Sequence, residues 1–193
     1  MEDFLKHIED PNPNFSYYKA GADDESAGFV LDVRNRISSG ASEDELNDLS
    51  EILNENTNEI KTFYKLHNGI QLYCQDDNPA IEFFEISQWL DKNEEWKEWF
   101  EDLEDDEIWD FQKEGIAFGE ISFSGNYFVF NNGKIYYSDH DGGDDEPLAN
   151  SFYEFLTLIV TDPAKFLYDL GCYTRYDDGK TDIQWIPKSY SGQ

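Results

Sequence analysis

The chain has 193 residues, a length that suffices for one domain with a sizeable core and is short for two. Its residues are 39% hydrophobic and 17% aromatic, and this aromatic content argues against disorder. Its 43 acidic and 14 basic residues give a formal net charge of -29 at pH 7. This charge repels nucleic-acid phosphates and anionic membrane surfaces, so it argues against nucleic acid and membrane as partners, and it attracts basic proteins.

The N-terminus and the cysteines indicate a cytoplasmic protein. Residues 1–10 contain acids and no apolar run, so they do not resemble a secretory signal. No segment approaches the roughly 20 apolar residues that cross a bilayer. Cys74 and Cys172 are too few for a disulfide framework in a chain of this length. We therefore expect reduced, structural thiols.

Residues 1–69 predict four helices. Apolar residues between positions 4 and 8 favour a short one, and the pattern of residues 29–37 favours a helix over a strand. Ser42 and Glu45 form a capping-box motif at the start of a clearer helix. After a break at residues 54–58, the next helix ends at Asn68-Gly69, where glycine suits a left-handed position.

The middle of the chain predicts two strands and an amphipathic helix. The strands cover residues 70–74 and 80–84, and Ser87 is positioned to cap the helix. The apolar face of this helix consists of Trp89, Leu90, Trp96, Trp99, Phe100 and Leu103. The spacing predicts tryptophans in the core, rather than on a ligand platform, and carboxylates facing outward. Residues 101–110 are nearly all acidic and predict a loop.

The last third predicts three strands, two helices and a final hairpin. The strands cover residues 116–120, 125–130 and 134–140, and Asn132-Gly133 between the last two is a hairpin signal. Ser151 and Glu154 form a second capping-box motif, and Pro163 occupies a favoured first helical position. We expect that helix to end at Gly171. Residues 172–187 then predict a hairpin around residues 177–180.

This order of elements resembles the SUKH superfamily, which includes fungal regulators of cell-wall glucan synthesis and bacterial immunity proteins. The segments that carry the resemblance are Phe63–Gly69, Ile116–Gly119, Gly125–Phe130, Lys134–Asp141 and Leu148–Leu156. The resemblance implies an α+β fold, a mostly antiparallel sheet with helices packed beside it in a single domain. The predicted elements agree with that fold class.

The resemblance covers roughly residues 45–170 and weakens toward the N-terminus. The family usually shows a Leu-Pro pair before the helix that ends in Asn-Gly, and residues 54–57 replace it here. Residues 1–40 have no clear counterpart. We therefore expect an N-terminal extension over residues 1–40 and a SUKH-like α+β domain over residues 41–193.

Residue types suited to metal binding and catalysis occur, but not in a catalytic pattern. Asp139–Asp141 and Asp144–Glu146 offer carboxylates and an imidazole, yet their spacing matches no EF-hand loop. The histidines, at positions 7, 67 and 140, show no paired spacing. Ser151 lacks a glycine elbow and fits a helix N-cap. We predict no catalytic residue, no metal and no cofactor, and the resemblance implies that His140 is structural, bonding backbone near the turn.

The acidic segments 94–110 and 139–146 are the candidate partner-binding surface. Carboxylates around a few aromatic anchors would suit a basic protein, and Tyr136-Tyr137 or Tyr17-Tyr18 are possible anchors. The alternative explanation of either segment is a solvated, solubilising charged face. The predicted partner-binding residues are Glu94, Glu98, Glu101, Asp102, Glu104, Asp105, Asp139, Asp141, Asp144 and Asp145.

The sequence and the resemblance together predict a non-enzymatic immunity protein. It would bind a cognate polymorphic toxin, a basic nuclease domain being the candidate, and neutralise it by occluding the active site. One alternative is an intracellular regulatory scaffold of the fungal cell-wall-regulator type. The other is a metal-dependent hydrolase.

Overall fold

The computed structural model describes residues 1–9, 15–20, 29–31, 34–53, 57–74, 79–101, 103–104, 107–122, 124–140, 145–170, 173–175 and 182–186. The helices in this part of the chain are α1 (Glu2–Glu9), α2 (Glu43–Ile52), α3 (Asn58–Leu66), α4 (Trp89–Glu98), α5 (Asp110–Glu114), α6 (Phe152–Thr161) and α7 (Pro163–Asp169). The strands are β1 (Phe15–Ala20), β2 (Phe29–Leu31), β3 (Arg34–Ile37), β4 (Ile70–Cys74), β5 (Ile81–Phe83), β6 (Ile116–Ile121), β7 (Asn126–Asn131), β8 (Lys134–Ser138), β9 (Tyr173–Arg175) and β10 (Asp182–Ile186).

The strands form two antiparallel sheets. The larger one has six strands in the order β3-β4-β5-β6-β7-β8, so each strand pairs with its neighbour along the chain. The smaller one has the order β2-β1-β10-β9 and joins the two ends of the chain, and α7 packs against its β10. This arrangement confirms the predicted α+β class with a mostly antiparallel sheet and helices beside it.

One face of the large sheet packs against α3 and α6 through phenylalanine rings. Phe63 of α3 lies 5.7 Å from Phe83 of β5, measured between ring centroids. Phe155 of α6 lies 4.9 Å from Phe128 of β7. All four rings are buried. Burial of such large apolar side chains, at about 25 cal/mol per Å², supplies the main driving force for this layer.

Helix α4 covers the opposite face of the same sheet. Neighbouring residues of a strand point to opposite faces, and Tyr127, beside Phe128, lies 6.3 Å from Trp96 of α4. Trp89 and Trp96 are both buried, as predicted. The sheet is therefore a middle layer, and α4 is the helix that carries the first acidic segment on its outer side.

Helix α1 is built into the core. Phe4 and Ile8 are buried, and Phe4 lies 6.0 Å from Phe63. His7 Nε2 lies 3.0 Å from the hydroxyl of Tyr73, a β4 residue in the left-handed region at φ 57°. The Asn35 side chain accepts from the Tyr73 N–H at 2.9 Å and so holds this conformation.

Several local predictions are confirmed. Ser42 donates to Glu45 from its backbone N–H at 2.8 Å, and Ser42 Oγ accepts from the Glu45 N–H at 3.3 Å. Asn132 and Gly133 have φ values of 50° and 83°, as a tight hairpin with two left-handed residues requires. Gly69 also has positive φ, 89°. Strands β9 and β10 form the predicted terminal hairpin, whose turn at 177–180 lies outside the described residues, as do Gly171 and Cys172.

Other predictions are wrong. Residues 29–31 and 34–37 are strands instead of a helix, because pairing of β3 with β4 and of β2 with β1 outweighs local pattern. Ser87 does not cap α4: a 3-10 turn precedes the helix, and the Glu85 N–H donates to Gln88 Oε1 at 2.9 Å. Helix α5, which begins at Asp110, was not predicted, although the loop expected before it is present in the described residues of 101–109.

Candidate protein-binding surface

The inner side of α4 is fixed to the sheet by three polar side chains. Trp89 Nε1 donates to the carbonyl of Phe84 at 3.2 Å, and Trp96 Nε1 donates to Ser138 Oγ at 3.1 Å. Between them, Asn93 Nδ2 donates to the Ala117 carbonyl and Asn93 Oδ1 accepts from the Ala117 N–H, both at 2.8 Å. These bonds determine which side chains α4 presents to solvent.

Exposed apolar side chains concentrate on α4 and the segment after it. In the described part of the chain, seven large apolar side chains are exposed, and four of them lie between positions 90 and 109. They are Leu90 (66% exposed), Trp99 (48%), Leu103 (45%) and Trp109 (41%). The prediction that Leu90, Trp99 and Leu103 face the core is therefore wrong. Helix α4 ends at Glu98, so the helical spacing does not extend to Leu103.

Exposed carboxylates lie between these apolar residues. Glu94 and Glu98 are exposed on α4, and Glu101 and Glu104 are exposed in the segment that follows. Lys92, by contrast, is directed toward the sheet. Its Nζ lies 3.7 Å from Glu120 Oε2 of β6 and 3.1 Å from Glu95 Oε2 of α4 itself. The surface thus combines apolar contact area with a strong excess of negative charge.

Trp99 connects the two acidic segments. Its indole packs against Gly125, in the turn between β6 and β7, and its ring centroid lies 5.8 Å from that of His140 in an edge-on arrangement. The His140 neighbour Asp139 is half-buried, and its Oδ1 lies 3.7 Å from His140 Nδ1. The end of α4 and the start of the second acidic segment therefore form one surface.

A hydrogen-bond chain holds His140 in place. Asn126 Oδ1 accepts from the His140 backbone N–H at 3.0 Å and lies 2.6 Å from His140 Nδ1. Asn126 Nδ2 donates to the Tyr137 hydroxyl at 2.7 Å, and that hydroxyl donates to the Leu170 carbonyl at 3.1 Å. The resemblance implied a structural residue that bonds backbone near the turn, and in the structure the His140 ring contacts the Asn126 side chain. The sequence did not predict a role for Gly125 or Asn126, although both lie in the segment 125–130 that carries the family resemblance.

The ten predicted binding residues divide into three groups. Those exposed on one segment or the other are Glu94, Glu98, Glu101, Glu104 and Asp145, and Asp139 is half-buried. The remaining four, Asp102, Asp105, Asp141 and Asp144, lie outside the described residues.

The predicted tyrosine anchors are not prominent. Tyr136 is half-buried and stacks on Phe111 with 4.6 Å between centroids. Partial burial is the main cause that raises the pKa of Tyr136, and the negative charges of Asp145 and Glu146 raise it further. The effect of these two charges indicates that the second acidic segment lies close to this ring. Tyr137 is held by Asn126 as described, and the side chains of Tyr17 and Tyr18 lie outside the described part. Trp99, rather than a tyrosine, is the aromatic residue at the junction of the two segments.

Features suited to chemistry do not converge elsewhere in the described residues. Two open clefts have volumes of about 410 and 420 Å³, one beside β3–β5 and one beside the β7–β8 hairpin. Ser151 lines the second cleft, and its Oγ accepts from the Glu154 N–H at 3.1 Å, which is the predicted N-cap role. Cys74 is buried, and burial raises the pKa of its thiol to about 11, so it is a poor nucleophile.

Within the described ranges, no three His, Cys, Asp or Glu side chains are arranged to hold a metal ion. Among the same residues, no helix combines the length and the apolar character needed to cross a bilayer.

Comparison with known proteins places the fold in context. The model of the SMI1 / KNR4 family (SUKH-1) matches residues 40–158. This range contains α4 and β4 to β8, and hence five of the six strands of the large sheet and the junction at Trp99. No curated protein gave a match.

Proposed function

Because this chain belongs to the SMI1 / KNR4 family (SUKH-1), which includes toxin immunity proteins, we propose that it is a non-enzymatic immunity protein that neutralises a cognate polymorphic toxin in the cytoplasm. Its binding surface is the outer side of α4 together with the segment after it and the start of the second acidic segment. In this proposal residues 41–193 are the family domain, and residues 1–40 are an extension whose helix α1 packs on the domain core.

The observation that carries the proposal is the concentration of exposed apolar residues among carboxylates. Binding energy in protein interfaces is concentrated in a few aromatic and apolar anchors, surrounded by polar groups that exclude water. Trp99, Leu103 and Trp109 are exposed anchors of this kind. Around them, exposed Glu98, Glu101 and similar residues supply the polar rim.

The charge of this surface selects a basic partner, and a nuclease domain is the candidate. A nuclease binds polyanions at its active site, so a polyanionic surface complements that site and can occlude it. With a net charge of -29, electrostatic steering should raise the association rate toward about 10⁸–10⁹ M⁻¹s⁻¹ at low salt. The same mechanism predicts that the association rate falls steeply as salt increases, while the dissociation rate changes less.

The first experiment tests protection in cells. The chain is co-expressed with the C-terminal domain of the nearest large secreted protein encoded beside its gene, and host survival is scored. Survival with the chain, and death without it, supports the immunity function. Death in both cases contradicts it and favours a regulatory scaffold of the fungal type, which an unbiased pull-down would then test.

Charge reversal locates the binding surface. The test variant replaces Glu94, Glu98 and Glu101 by lysine. The control variant makes the same change in charge at exposed Asp48, Glu51 and Glu114, which lie on α2 and α5. We expect the test variant to lose protection and the control to keep it, with both variants folded. Equal protection by the two variants would contradict the proposed surface and leave the immunity function to be located elsewhere on the molecule.

A further inference from the structure

The indole side chain of Trp99 is held in place by its neighbours, yet it remains half-exposed. Buried contacts fix most tryptophans of a core, and exposed ones usually sample several rotamers. Trp99 follows neither pattern, because 48% of its surface is exposed while two neighbouring elements pack against its ring. A ring that is ordered before binding loses little conformational entropy on binding.

Gly125 makes the first of these contacts. It has φ 77°, a conformation that favours glycine, and it brings the backbone of the β6–β7 turn against the indole. A Cβ atom at this position would lie 2.6 Å from Trp99 Cη2, which is closer than carbon atoms approach. Any other residue at position 125 would therefore displace the ring.

His140 makes the second contact. Its ring meets the indole edge-on at an interplanar angle of 80°, and it is itself fixed by Asn126 Oδ1, 2.6 Å from its Nδ1. The contact leaves part of the indole surface open to solvent. Asp139 Oδ1 lies 3.7 Å from His140 Nδ1, and Glu98 and Glu101, both exposed, are within two positions of Trp99 in the chain, so the ring lies in an acidic part of the surface.

The charge around the exposed indole favours one kind of ligand. An immobilised indole with neighbouring carboxylates suits a group that is cationic, planar and rich in hydrogen-bond donors. Arginine has such a group. Its guanidinium stacks on aromatic faces, donates two parallel hydrogen bonds to a carboxylate, and is less strongly hydrated than the lysine ammonium.

We propose that Trp99 receives an arginine side chain of the partner, whose guanidinium stacks on the indole and pairs with the adjacent carboxylates. This inference rests on the proposed partner-binding function and gives it a chemical specificity: the partner must present an exposed arginine, and positive charge alone is not sufficient. Gly125 and His140 are positioning residues, since they act by orienting the indole.

The test uses hexa-arginine, hexa-lysine and hexa-citrulline peptides as probes, at about 0.15 M salt, where charges are screened beyond about 8 Å. Affinities of the wild type and of each variant are measured by isothermal titration calorimetry, and the indole N–H resonance of Trp99, which is assigned from its absence in Trp99→Leu, reports contact with the ring in the wild type. We expect hexa-arginine to bind more tightly than hexa-lysine, and hexa-citrulline, which is neutral, not to bind. A cation–π contact at an exposed site changes affinity by about two- to fivefold, so Trp99→Leu should reduce the preference for arginine by this factor.

Two further variants separate stacking from general charge. Leu66→Ala removes an apolar side chain of similar exposure, 45%, from α3, which is not part of the proposed surface, and should leave the arginine preference intact. Gly125→Ala leaves the indole in place chemically but displaces it, and should lower the preference as Trp99→Leu does. Thermal unfolding confirms that each variant is folded. An arginine preference that is equal in the wild type and in Trp99→Leu would overturn the proposal.

The peptide test does not require the toxin, so the two proposals can fail separately. A Trp99-dependent arginine preference without protection in cells would contradict immunity and support the arginine site. Protection in cells by a Trp99→Leu variant that is as effective as the wild type would contradict the arginine site and leave immunity standing.

Discussion

Asn93→Ala should weaken the attachment of α4 to the sheet. The Asn93 side chain forms two hydrogen bonds with the peptide groups of Ala117, each 2.8 Å long, and a third with the Trp89 carbonyl, also at 2.8 Å. Ala117 is fully buried at 0% exposure. Alanine at position 93 removes all three bonds, and water cannot readily reach Ala117 to replace them.

The magnitude follows from the two bonds to Ala117. A net hydrogen bond contributes about 0.5–1.5 kcal/mol, and a buried group left without a partner costs about 1–3 kcal/mol. For one N–H and one carbonyl we expect a loss of about 2–4 kcal/mol in the free energy of unfolding. For a chain of this size, 1 kcal/mol corresponds to about 2–4 °C in Tm, so Tm should fall by roughly 5–15 °C.

Urea unfolding monitored by tryptophan fluorescence measures this loss, and Glu94→Ala is the control. Glu94 is exposed on the same helix, so its replacement should change stability by less than about 0.5 kcal/mol. Asn93→Asp refines the test. Its carboxylate faces the Ala117 carbonyl, so its stability should fall as pH rises and the carboxyl ionises. A loss below about 1 kcal/mol for Asn93→Ala would refute the reasoning that these bonds hold α4 to β6.

Three further predictions concern the layers around the sheet, all measured by urea unfolding. Phe4→Ala should cost about 3–5 kcal/mol, since Phe4 is buried in the core, and a loss below 1 kcal/mol would show that α1 does not stabilise the domain. Gly119→Ala should cost at least about 1–3 kcal/mol, because its Cβ would lie 2.5 Å from the Glu82 carbonyl oxygen; a neutral result would contradict the close β5–β6 contact. The pKa of Glu120 is raised by burial, although Lys92 opposes the shift. Because the carboxyl pKa is raised in the folded state, the contribution of this group to stability is lost as the pH rises from about 4.5. Glu120→Gln should therefore gain stability relative to the wild type between pH 4 and pH 7. The absence of a relative gain would contradict the assigned burial.

Features that depend on a few neighbouring residues could be predicted from the sequence. The Ser42–Glu45 box and the Ser151 cap involve bonds across three positions. Asn132 and Gly133 adopt positive φ because asparagine tolerates the left-handed region and glycine has no Cβ atom. These signals, with the periodicity of the strands, predicted elements that agree with the α+β class implied by the family resemblance.

Features that depend on distant partners could not be predicted. Residues 34–37 became strand β3 because β4, more than 30 positions away, offers an edge for pairing. Glu85 rather than Ser87 begins the turn before α4, because the Asn68 side chain accepts from the Ile86 N–H at 3.0 Å and fixes the chain there. In both cases a long-range contact outweighs local propensity.

The candidate surface shows the same division. Composition alone determined that it is acidic, and helical periodicity placed Trp89 and Trp96 in the core. The same periodicity wrongly predicted Trp99 to be buried, because the predicted helix continued to Leu103, beyond the observed end of α4. Only the tertiary structure decides that α4 ends at Glu98, and that Gly125 and His140 then hold the indole half-open between two acidic segments. The physical reason is that exposure depends on packing between elements that are far apart in the chain, whereas charge and periodicity belong to the residues themselves.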